Sequence, residues 1–305
     1  MPPGCRATDK IERSFYFRCS AARGCHPGDR CGPPLHCARM TARPSPSPQI
    51  GVFDSGVGGL SVLRGLRRRL PDCAISYLAD NRHLPYGAKS PEWLVERCAT
   101  LTQVLVSQGS ALVLVACNTA TTHTIAALRQ RWPSLPFVGV EPGVKPAIAA
   151  SRSRRIAVLA TEATLQSERM RSLVGTHGAD AEVHLLACPG LADAIERAAD
   201  DALETLIEDA CARIEATQAD TVVLGCTHYP LIADRIARRL GPGVALVDTA
   251  EAVCRRVESL LPVRIGAQAE PRGALSIAAS GDVELVARAA RRWLDEPVTV
   301  AHSAV

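Results

Sequence analysis

The chain has 305 residues, 47% apolar and 22% charged, with a formal net charge of +4. That is enough apolar material for one large packed domain or two smaller ones, while the near-balanced charge and an aromatic content of 4% argue against a nucleic-acid surface. No apolar run has the length of a membrane span and the N-terminus carries no secretory h-region, so a cytoplasmic protein with reduced thiols is expected despite twelve cysteines.

Residues 1–48 are rich in Gly, Pro and Arg and lack apolar periodicity; they read as disordered or as an extension upstream of an alternative start at Met40. Cys5, Cys19, Cys25, Cys31 and Cys37 lie there, and with His26 or His36 they would make a zinc site only weakly, since no close Cys-x-x-Cys pair occurs.

From Gln49 onward short apolar runs alternate with helical patterns. A strand over 49–53 runs into FDSGVGG, where Asp54 and Ser55 precede Gly56, Gly58 and Gly59 and a helix over 59–70. The turn is like a phosphate-binding loop with an incomplete fingerprint; it suits a small anion at a helix N-terminus, or a plain cap by Ser55. A strand over 74–79 ends at Asp80, before the turn Pro85-Tyr86-Gly87 and a helix over 91–108. Strands at 111–116 and 137–140 flank a helix over 122–132. Further strands are expected at 155–160, 182–187, 220–225 and 244–247, with helices over 164–175, 191–216, 231–240 and 250–261. The alternation implies an α/β architecture with mainly parallel, buried strands.

The pattern also repeats. IGVFD at Ile50 matches IAVLA at Ile156, LVLVACNT matches TVVLGCTH at Cys117 and Cys226, and FVGVEP matches ALVDTA at Val140 and Val247, with spacings of 106, 109 and 107 residues. Two similar α/β halves follow. Each half ends one strand in a cysteine followed by small polar residues: Asn118 and Thr119 in one, Thr227 and His228 in the other. Ligands of open α/β sheets bind beyond the carboxyl ends of the strands, so two facing halves would set Cys117 and Cys226 on opposite walls of one cleft. A disulfide or a sparse metal site are the competing readings. One thiol on each side of a small molecule suits removal of a proton from one face of a carbon and its return on the other. Asn118, Thr119 and Thr227 supply short hydrogen-bonding groups for a carboxylate, and His228 could supply a proton or favour a thiolate. A two-domain binding protein is the alternative class.

The segments GVFDSGVGGLSVL, LADNRHLPYGAKS, LVLVACNTAT, FVGVEPGVKPA, LGCTHYPLI and LVDTAEAV, spanning about Gln49 to Leu261, together resemble the glutamate racemase family of the aspartate/glutamate racemase superfamily. The resemblance implies interconversion of L- and D-glutamate without cofactor or metal, supplying D-glutamate for peptidoglycan. It implies that Cys226 acts on the L-enantiomer and Cys117 on the D-enantiomer, each assisted on its own side by His228 and Asp54. Substrate contacts would come from Asp54, Ser55, Tyr86, Gly87, Asn118, Thr119, Thr164, Thr227 and His228, with Asp80 and Glu196 in support. Glu196, in CPGLADAIE, would partner His228, although that segment departs from the family pattern at Asp193. The implied fold is two similar three-layer α/β domains related by a pseudo-two-fold. One would comprise 49–143 plus 251–305 and the other 144–250, with the site in the cleft between them. Glutamate is the implied partner, with no nucleic acid or membrane; a homodimer is compatible with the resemblance.

Overall fold

The computed structural model describes residues 49–261 and 273–305. The N-terminal cysteines, and the expectation of disorder or zinc there, lie outside the described residues. Ten strands form two parallel sheets among them. The first has the order β10-β9-β2-β1-β3-β4, from β1 (Gln49–Asp54), β2 (Ala74–Ala79), β3 (Ser110–Val115), β4 (Phe137–Gly139), β9 (Leu275–Ala279) and β10 (Val300–His302). The second has the order β6-β5-β7-β8, from β5 (Arg155–Ala160), β6 (Glu182–Ala187), β7 (Thr221–Leu224) and β8 (Ala245–Val247). β2-β1-β3-β4 and β6-β5-β7-β8 share one topology, so the internal repeat of the sequence is a repeat of the fold. In both, the chain steps to one side of the first strand and then to the other, which opens a crevice at the strand ends.

Helices cover both faces of each sheet, which is why the inner strands are apolar almost throughout. In the first half, Ile50, Val52, Leu112 and Leu114 pack under α1 (Leu60–Arg69), α10 (Ala250–Leu260) and α11 (Val283–Trp293). Phe53, Val113 and Val115, on the opposite face, pack on α2 (Pro91–Ser107) and α3 (Asn118–Arg131). In the second half, α4 (Val144–Ala150), α5 (Glu162–Gln166) and α6 (Glu168–His177) cover one face. The other is covered by α7 (Leu191–Arg197), α8 (Asp200–Thr217) and α9 (Ala233–Leu240). Trp293, ending α11, packs against the cores of both halves.

Several expected elements shift. The helix expected over 122–132 begins at Asn118, directly after Cys117. The helix over 164–175 is two helices, because Ser167 leaves helical geometry and caps α6 by accepting from Met170 N at 3.1 Å. The helix over 191–216 breaks at Ala198, which adopts left-handed φ of 51°. Strands β9 and β10 and helices α4 and α11 have no counterpart in the sequence reading. No helix of the described residues is long and apolar enough to cross a membrane.

Candidate active site

On the first wall, β3 delivers Cys117 to the N-terminus of α3, and the residue is 6% exposed. Ser55 Oγ lies 3.6 Å from its Sγ. Burial pushes the Cys117 thiol well up, and the Asp54 charge adds to this, against the Ala120 amide and the Ser55 hydroxyl. Asp54, at the end of β1, is fully buried. Its carboxylate accepts from Gly56 N at 2.7 Å and from Thr227 Oγ1, across the cleft, at 3.1 Å. Burial raises it to about 6, although the neighbouring His228 charge and both hydrogen bonds oppose the rise.

On the second wall, Cys226 follows β7 and is 7% exposed. His228 Nδ1 lies 3.7 Å from Cys226 Sγ, and His228 Nε2 donates to Glu196 Oε2 at 2.8 Å. Burial works against an imidazolium here, yet contact with Cys226 and Glu196 outweighs it and holds His228 well above its ordinary value. Glu196, on α7, also accepts from Val57 N at 2.8 Å. It is thus the buried partner of His228 despite the departure of its segment at Asp193.

The glycine turn after β1 does receive an anion, but from the chain itself: Glu196 sits at Val57 N and Asp54 at Gly56 N. A Cβ on Gly56 would stand 2.5 Å from Glu196 Oε2, and one on Gly58 would meet His228 Nδ1. The glycines therefore make room for the acid–base groups of the opposite wall. Ser55 does not cap α1, whose N-cap is Gly59; its hydroxyl faces Cys117.

Polar side chains line the rest of the site. Asn118 Nδ2 donates to Val140 O at 3.0 Å, leaving its Oδ1 buried without a partner. Thr119 Oγ1 lies 3.0 Å from Thr161 Oγ1 and 3.2 Å from Thr164 Oγ1, and the last two are 3.0 Å apart, so three hydroxyls close a triangle between the halves. Thr161 is absent from the sequence reading; its signal is the T-E-A-T spacing, in which it caps α5 through Thr164 N. Gly87 approaches Thr161 from the first half. Tyr86 is 2% exposed, and its hydroxyl donates to Asp80 Oδ2 at 2.6 Å. Asp80 reaches the site through Tyr86 and through its own backbone N–H, which donates to Asp54 O at 2.9 Å. Among the described residues Cys117 and Cys226 are free thiols, as are Cys73, Cys98, Cys188, Cys211 and Cys254. No group of three or more His, Cys, Asp or Glu among them is placed to hold a metal ion.

Residues 50–257 match the family model of Asp/Glu/Hydantoin racemase. A glutamate racemase of Pseudomonas aeruginosa is 45% identical over 74% of this chain and 88% of its own length. One of Herpetosiphon aurantiacus is 47% identical over 70% and 84%. Among solved structures, glutamate racemase of Bacillus anthracis superposes with a TM-score of 0.75 at 30% identity, covering 85% of this chain and 98% of its own. The Escherichia coli enzyme, solved with L-glutamate and an activator, UDP-MurNAc-ala, gives 0.72 at 32% identity over 84% and 98%.

Proposed function

The chain belongs to the Asp/Glu/Hydantoin racemase family, and on that premise we propose that it interconverts L- and D-glutamate by passing the Cα proton between Cys226 and Cys117. One observation carries the reading: two buried thiols follow topologically equivalent strands, each beside its own buried acid–base partner. From L-glutamate, Cys226 as thiolate takes the Cα proton, and the Cys117 thiol gives its proton to the opposite face. The enzyme is left with a Cys226 thiol and a Cys117 thiolate, which is the form that accepts D-glutamate. Burial keeps the proton on Cys117, and a cationic His228 is an electrostatic partner for a thiolate at Cys226. Asp54 assists the Cys117 side.

The buried Asn118 Oδ1 is an acceptor for the substrate ammonium. The hydroxyls of Thr119, Thr164 and Thr227, with Ser55 and the Tyr86-Gly87 turn, supply carboxylate contacts. Two thiols suffice as acid and base, so the proposed reaction uses no cofactor. Its product would serve peptidoglycan synthesis, and we place the enzyme in the reducing cytoplasm, where such thiols persist. We also assign 49–143 plus 251–305 and 144–250 as its two domains. The test is circular dichroism of L-glutamate with protein dialysed against chelator. Signal decay toward zero with glutamate and none with aspartate is expected; an inert protein, or one that prefers aspartate, would overturn the reading.

A further inference from the structure

We propose that Arg97, on α2, is a positioning residue for the substrate-facing Tyr86-Gly87 turn, an assignment that rests on the racemase reading. The only acid–base group of the turn, the Tyr86 hydroxyl, is committed to Asp80, so what the turn can supply to substrate is binding. What fixes it lies behind it. Tyr86 OH donates to Asp80 Oδ2 at 2.6 Å. Asp80 is in turn gripped by the guanidinium fork of Arg97, with Nε to Oδ2 at 2.8 Å and Nη2 to Oδ1 at 2.5 Å. The Asp80 side chain is wholly buried and that of Arg97 is 12% exposed, so water screens this pair little. A two-pronged guanidinium–carboxylate pair fixes direction as well as charge, which lysine cannot reproduce. Arg97 Nη2 also donates to the main-chain oxygen of Val305 at 3.1 Å. On the far side, the Tyr86 ring meets Trp93 edge-on at 5.9 Å, and a Cβ on the adjoining Gly87 would lie 3.7 Å from Thr161 Cβ. The chain of contacts runs Val305, Arg97, Asp80, Tyr86, Gly87; Tyr86 shares an apolar cluster with Cys117, but the hydrogen-bonding partners of the two thiols are Ser55 and His228, outside this chain.

The effect should therefore fall on substrate affinity and spare the proton transfers. Arg97→Met should raise KM for both enantiomers roughly 10- to 100-fold, the range expected for a lost charge-assisted hydrogen bond, with kcat within about threefold. Arg97→Lys should recover part of the loss. Tyr86→Phe, which deletes only the hydroxyl at the other end of the relay, should raise KM in the same way. The double variant Arg97→Lys/Tyr86→Phe should be no worse than the worse single one. If Arg97→Met does not fold, the Arg97→Lys and Tyr86→Phe pair decides. An unchanged KM, a loss confined to kcat, or losses that multiply in the double variant would each overturn the assignment. Wild-type protein inert toward glutamate would overturn the racemase reading and this assignment with it, whereas active wild type with unaffected Arg97 variants overturns the assignment alone.

Discussion

At the scale of single residues, the two cysteines carry the sharpest expectations. Cys117→Ser and Cys226→Ser should each lower racemisation by ~10²–10⁴-fold, because a hydroxyl is far too weak an acid for the proton transfer. Each should still eliminate HCl from one enantiomer of a β-chloro-glutamate, a reaction needing a single base: the L-type isomer for Cys117→Ser, the opposite one for Cys226→Ser. Chiral analysis of the remaining substrate reads this directly, and a shared preference would contradict the two-wall scheme. Asp54 sets a pH dependence. Its carboxyl is raised to about 6, so it is protonated and unable to assist Cys117 below that pH. kcat/KM, which reports the free enzyme, should fall as pH drops through about 6, and Asp54→Asn should have a lower, flatter profile there. A limb that survives in Asp54→Asn would assign it to another group.

At the scale of elements, the turn between β1 and α1 explains why three glycines stand together. Gly56→Ala would drive a methyl group into Glu196, and Glu196 holds the far nitrogen of His228. A drop in kcat of about tenfold or more is expected, comparable to loss of part of an acid–base group. Gly175→Ala is the contrast. It lies within α6 with nothing within 4 Å of its added carbon, so thermal unfolding should show a gain of about 0.5–1 kcal/mol with unchanged rates. Much of this was legible beforehand. Of the eight strands from Gln49 to Val247, all but the edge strand β6, which carries Glu182 and His184, are mainly apolar runs between turn signals, and the paired Cys-polar segments mark the ends of β3 and β7. The turn has the sequence of an anion site, and its anions are the adjacent Asp54 and the distant Glu196; a sequence does not show which distant carboxylate folds onto an amide. Ser167 and Ala198 break helices because one cap and one left-handed residue outweigh an apolar periodicity that runs on past them. β9 was missed because its exposure alternates irregularly and its partner β2 lies some 200 residues away; β10 has only three residues.

At the scale of the whole molecule, the halves are tied across the cleft by a few polar bonds. Thr227 Oγ1 donates to Asp54, Val57 N to Glu196, and Ser61 Oγ shares its one proton between Thr227 O at 3.0 Å, across the cleft, and Gly58 O at 2.8 Å. With both thiols nearly covered, substrate access is expected to require the halves to part. Ser61→Ala removes one tie worth about 1 kcal/mol, so the open form should become roughly fivefold more populated. Alkylation of Cys226 by iodoacetamide, followed by peptide mass spectrometry, should quicken by that factor and be suppressed by glutamate; an unchanged rate would mean that this tie does not restrain opening. The unequal electrostatics of the two walls has a further consequence. Mirror-image amino acids have equal free energy in water, so detailed balance requires the same kcat/KM in both directions, at every pH and in every variant. A protein that rests with its proton on Cys117 therefore cannot favour L-glutamate in the initial commitment. The inequality can surface only at saturation, as two enantiomers with different KM values and kcat values that differ in the same proportion.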